Sequence, residues 1–149
     1  MRIVAAREQA EMLLPWRTAS NMAPVHLNLH PDEVLRYQHP GNPWRHMDRL
    51  EDLKSSISQQ GIRQPIQMLT NGTHAFVDDG HHRALGAQQL GMTQAPVHID
   101  HDPYLLDDTP DAQPLQPGPL KDWIDSHEYT GASEENGAPI WSERKTGFS

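Results

Sequence analysis

The sequence contains no cysteine. That absence excludes disulfides, thiolate zinc sites, iron–sulfur clusters and cysteine nucleophiles together. No apolar run approaches the roughly 20 residues that cross a bilayer, so a membrane-spanning helix and a membrane partner are not expected. The opening stretch MRIVAAREQAEMLLPW carries Arg7, Glu8 and Glu11 where a signal peptide needs apolar residues, so the expectation is a cytoplasmic chain. Apolar residues are also in short supply, at 36%, beside 13 prolines and 10 glycines, which argues against a packed core over all 149 residues. Basic charge is scarce: 12 Lys and Arg face 20 Asp and Glu, a formal net charge of −8. Residues 1–98 hold nine of each sign, and residues 99–149 hold three basic against eleven acidic. With no broad basic face to neutralise phosphates, DNA is a weakly supported partner. The acidic last third reads as solvating.

What is present is local patterning. Residues 7–14 can form a short helix stopped by Pro15, and Pro24–Leu29 reads as a strand. Pro40-Gly41 and Asn42-Pro43 forbid regular structure. Met47, Leu50, Leu53 and Ile57 recur at helical spacing, so one face of a helix from about 46 to 59 is apolar, and Gly61 ends it. Pro65–Leu69 and His74–Val77 are strands about Asn71-Gly72, a two-residue hairpin signal. Asp78-Asp79-Gly80 turns the chain into a helix over His81–Leu90, and Ala95–Ile99 is the next strand. Residues 107–119 read as a solvated linker, Leu120–His127 as a short helix, and the remainder as an irregular tail.

The chemistry concentrates in Val77-Asp-Asp-Gly-His-His-Arg-Ala84. The first N–H groups of a helix lack internal partners, and the helix dipole adds positive potential there. Gly80 lets a ligand approach the backbone, Arg83 can fork onto phosphate oxygens, and His81 and His82 add donors. The pattern reads as an anion site, most naturally for phosphate. The same residues fit a plainer reading, in which any strand–glycine–helix junction looks this way and Asp79 caps the helix.

A family resemblance extends the reading. Gly61-Ile-Arg-Gln-Pro-Ile66 resembles the first box of the ParB/sulfiredoxin superfamily, and Gly80-His-His-Arg-Ala84 stands where ParB proteins carry Gly-Glu-Arg-Arg and sulfiredoxins Gly-Cys-His-Arg. Val25–Pro31 resembles the family's first strand, and Asn42-Pro43 with Arg45 its approach to the helix. The resemblance implies an α+β fold, a small mixed sheet flanked by helices over residues 22–101. An N-terminal helical extension (1–21) would precede it, and an acidic Pro-rich linker and tail (102–149) follow, with a short helix at 120–127. It implies that Gly80, His82 and Arg83 touch nucleotide phosphates, with Gln64 and Pro65 shaping the same pocket. The Asp-Gly-His-His-Arg string is closest to the family's free-serine kinases, which rely on an upstream carboxylate. Glu33 is the positional candidate, although it equally suits the first turn of a short helix.

Phosphoryl transfer or nucleotide hydrolysis would then use Glu33, Asp79 or His81 for proton transfer and Mg²⁺ with a nucleotide such as ATP, ADP or CTP. His81 replaces the sulfiredoxin cysteine, which excludes sulfinic-acid reduction, and His81-His82 departs from the ParB Glu-Arg of CTP switching. The alternatives are a Mg²⁺-dependent nuclease using Asp78, Asp79, His81 and His82, or a non-catalytic DNA- or protein-interaction module. Ten histidines invite a metal reading, but His98 and Asp100 share a strand face while His81 and His82 diverge on a helix, so no metal site is assigned. The four tryptophans lie outside both boxes and read as packing residues, with base stacking by Trp44 as the sharper alternative.

Overall fold

The computed structural model describes residues 24–38 and 47–145. The helix expected at 7–14, the Pro40–Arg45 turn, Trp16 and Trp44 lie outside the described residues. The described chain runs β1 (Leu27–Leu29), α1 (Pro31–Leu35), a 3-10 turn (Met47–Arg49), α2 (Leu50–Gln60), β2 (Ile66–Thr70), β3 (His74–Asp79), α3 (His81–Gln89) and β4 (Ala95–His101). It continues through α4 (Leu105–Asp108), β5 (Gln113–Pro114), α5 (Pro119–Ser126), β6 (His127–Ala132) and β7 (Pro139–Glu143). Among the described residues no helix is long and apolar enough to cross a membrane.

Strands order as β1-β4-β2-β3-β5 in one mixed sheet. β2 and β4 are parallel, and the other neighbours are antiparallel. The mixed sheet with its helices is the α+β architecture that the family resemblance implies. Alternation along β2 buries Ile66, Met68 and Thr70, and β3 buries Ala75 and Val77. Leu50 and Ile57 bury the apolar stripe of α2. That helix meets α3 at Gly86, where an added Cβ would lie 3.4 Å from Lys54 Cγ and 3.5 Å from Ile57 Cδ1.

Two expectations are corrected. The β2–β3 loop has three residues, Asn71 to Thr73, because Asn71 Oδ1 accepts from the amides of Thr73 (2.9 Å) and His74 (2.8 Å). Thr70 Oγ1 closes the loop, donating to His74 O at 2.7 Å and accepting from Gly72 N at 3.0 Å. The chain after residue 101 is also not an irregular linker and tail. Gln113–Pro114 adds a strand to the sheet, Leu120 and Ile124 of α5 belong to the main core, and β6 and β7 pair as a separate hairpin. The hydrophobic core therefore extends past the expected boundary, since α5 supplies apolar side chains that residues 22–101 do not.

α5 is fastened by α1. Glu33 is buried, and its Oε2 accepts from the Leu120 amide at 3.0 Å while its Oε1 accepts from Arg36 Nη1. Arg36 also donates to Pro117 O (3.2 Å) and Gln116 Oε1 (2.8 Å). Gly118 fits between them: a Cβ there would sit 2.8 Å from Glu33 Oε2 and 2.9 Å from Arg36 Nη1.

Candidate functional site

β3 delivers the site. Its pairing sets Gln67 opposite Asp79, so the start of β2 lies beside the end of β3. The chain then turns at Gly80, whose φ of 106° is one that residues with a Cβ adopt at a cost, and α3 begins at His81. Ala84 N–H bonds back to Gly80 O at 3.0 Å, the start of the helix ladder. The amides of His81 to Arg83 precede that ladder and lie in the turn where the helix dipole is positive. The N-cap residue is Gly80 itself, which has no side chain to bond the first-turn amides.

An open cavity of about 270 Å³ lies here, walled by Leu53, Asp79, Gly80, His81, His82 and Arg83. The side chain of Arg83 is 19% exposed. Its Nη1 donates to Pro65 O at 3.1 Å, and its Nη2 reaches the exposed carboxylate of Asp79 at 3.4 Å. Arg83 thus ties the two sequence boxes together, with one nitrogen on a backbone carbonyl and another in a long, solvent-exposed ion pair. A contact of that length at the surface contributes little, so the guanidinium is held chiefly by the Pro65 carbonyl.

The structure brings together Asp79, Gly80, His81, His82 and Arg83, with Pro65 behind the guanidinium. Gln64 is exposed and is not among the cavity walls. Glu33 has both carboxylate oxygens engaged by Arg36 and the α5 amide, a packing role. The bare Cα of Gly80 faces the protein: a Cβ would meet Arg83 Nη1 at 2.6 Å and Ile66 Cα at 3.2 Å. The glycine is therefore required by the arginine and β2. Leu53 is the wall that sequence reasoning placed only on an apolar helix face; no signal in its spacing marks it as a site residue. Among the described residues no three His, Asp or Glu side chains converge to hold a metal ion.

The model of the ParB N-terminal domain family matches residues 20–106, more than half of the chain and both boxes. The chain belongs to the ParB N-terminal domain family. A search of curated proteins returned no match. Among solved structures, a crystal structure of sulfiredoxin from Arabidopsis thaliana is similar at 22% identity, with a TM-score of 0.44, over 53% of this chain and 88% of that one. Within the ParB N-terminal domain lie β1 to β4, the cavity and the Glu33–Arg36 pair, while α5 and the β6–β7 hairpin fall beyond the matched span.

Proposed function

We propose that this ParB N-terminal domain binds a nucleotide through its phosphates at the amino end of α3. The observation that carries the reading is the first turn of a nine-residue helix opening into a cavity with Arg83 and two histidines on its walls. Backbone amides at Gly80–His82 and the Arg83 guanidinium supply the charge complement to a polyanion. Mg²⁺ fits as a companion of the nucleotide: Asp79 is the carboxylate at the rim, and the phosphates supply the remaining oxygens. Asp79 and His81 are the groups of the site able to take a proton from an acceptor hydroxyl in phosphoryl transfer or hydrolysis. Glu33 is left out of that chemistry because its oxygens hold α5.

The test is calorimetric titration with ATP, ADP and CTP, each with and without Mg²⁺, of the wild type and of Arg83→Ala. A charged hydrogen bond contributes about 1.5–3 kcal/mol, so the variant is expected to bind roughly 10- to 100-fold more weakly. Equal affinity in the two proteins would remove Arg83 from the site. No heat with any nucleotide would reject the reading.

A further inference from the structure

A second cavity lies at the opposite end of β2 from the α3 site. Gln67, near the start of β2, pairs with Asp79 beside Gly80, whereas Thr70, at its end, pairs with His101 of β4. There a space of about 290 Å³ opens between the β2–β3 loop, the end of α5 and the β6–β7 hairpin. Most of its wall comes from residues past 106, outside the ParB N-terminal match. Ligand pockets run from about 300 to 1,000 Å³, so this one suits a small group. Rings form its corner. His101 and Tyr129 stack at 4.6 Å with their planes 15° apart. Trp141 stands across both, at 78° to His101 (6.1 Å) and at 69° to Tyr129 (5.8 Å). Trp141 is held in place by its Nε1, which donates to Ile99 O at 3.0 Å, and Tyr129 keeps 37% of its surface exposed.

We propose that this cavity binds an organic ammonium ion, held against the faces of Trp141 and Tyr129 and countered by Glu128. Indole and phenol faces carry the negative lobe of the ring quadrupole and attract a cation. The polar groups of the wall carry the same sign. Asp125 and Glu128 bring two exposed carboxylates. His127 Nδ1 lies 2.7 Å from Trp123 O, and since a carbonyl only accepts, the proton is on Nδ1 and Nε2 of the neutral ring is an acceptor. Arg144 is the cation of the wall, and it is tethered: its Nε donates to Asp125 O at 3.1 Å and its backbone amide to Ser126 O at 2.7 Å. Asp125 Oδ2 is paired with Lys121 in an exposed contact one helical turn away, which leaves Glu128 as the carboxylate assigned to the ligand. An anion would meet two carboxylates and the negative ring faces, and a neutral group would gain nothing from either.

A free cation and an alkylated lysine side chain of another protein present the same group, so the test has two arms. One compares choline with its uncharged isostere 3,3-dimethylbutan-1-ol. The other compares a short neutral peptide carrying one trimethyllysine with the same peptide carrying norleucine. Both are titrated into the ¹⁵N-labelled full chain and followed by amide and indole chemical shifts. Saturable shifts are expected at Glu128, Tyr129 and Trp141, with Gly80–Arg83 unmoved. The charged probe should bind about 5- to 30-fold more tightly than its uncharged counterpart, the range for a cation over partly to fully desolvated rings. The arm with the tighter charged probe names the source. Tyr129→Leu keeps apolar bulk without the ring face, and Glu128→Gln keeps shape without the charge. Each should weaken that charged probe by about 2- to 5-fold and leave its uncharged counterpart unchanged. The proposal is overturned by equal affinity for charged and uncharged probes in both arms, by no saturable shift with either charged probe, by shifts centred on α3, or by wild-type binding in both variants. If Tyr129→Leu does not fold, wild-type binding by Glu128→Gln overturns it.

Discussion

Replacing Glu33 by alanine separates a structural carboxylate from a catalytic one. Glu33 is 5% exposed, and its Oε2 accepts the Leu120 amide at the first turn of α5. Truncation strands that amide next to Leu120, which has no exposed surface. A buried donor left unsatisfied costs about 1–3 kcal/mol. At roughly 2–4 °C per kcal/mol for a chain of this size, the melting temperature should drop by about 2–12 °C. The loss of the Arg36 pair adds little, because that guanidinium is partly in solvent and keeps Pro117 O and Gln116 as partners. The assay is thermal and urea unfolding, paired with nucleotide titration below the transition. Nucleotide affinity should be unchanged within about twofold. A variant that melts like the wild type but has lost phosphoryl transfer would refute the packing role and restore Glu33 as a catalytic group.

Gly80→Ala should destabilise the protein by about 1–3 kcal/mol, measured by urea unfolding, because a Cβ there meets Ile66 Cα at 3.2 Å and the backbone sits at φ 106°. The same Cβ would displace Arg83 Nη1, so weakened nucleotide binding should accompany the loss. Asn71→Ala removes the acceptor shared by the Thr73 and His74 amides and should cost about 1 kcal/mol or more in the same assay.

Much of the central fold is legible in the residues, and the reason differs by element. α2 is read from Leu50, Leu53 and Ile57 because its apolar stripe is the face that packs. The β3–Gly80–α3 junction is read because a strand, a residue tolerant of positive φ and a helix follow one another without interruption. The loop after β2 is placed correctly but miscounted, since Asn71 bonds through its side chain rather than forming a two-residue turn. β6 and β7 are not legible: their residues are mostly exposed on both faces, so no apolar alternation records their pairing. Glu33 is ambiguous for another reason. Its deciding partner, Leu120, is 87 residues away in the chain, and only the folded structure shows that contact. The site is half legible. The positions of Gly80, His81, His82 and Arg83 follow from the junction, whereas the Arg83 bond to Pro65 O depends on how β2 and β3 pair.

The central claim is that phosphate groups settle at the first turn of α3. The direct measurement is amide chemical-shift mapping of the ¹⁵N-labelled protein during titration with ATP, ADP or CTP and Mg²⁺. The account predicts saturable shifts at Gly80, His81, His82 and Arg83, with Pro65's neighbour Ile66 following. Shifts absent from that turn, or centred on the separate cavity beside Asn71, His101 and Trp141, would contradict it.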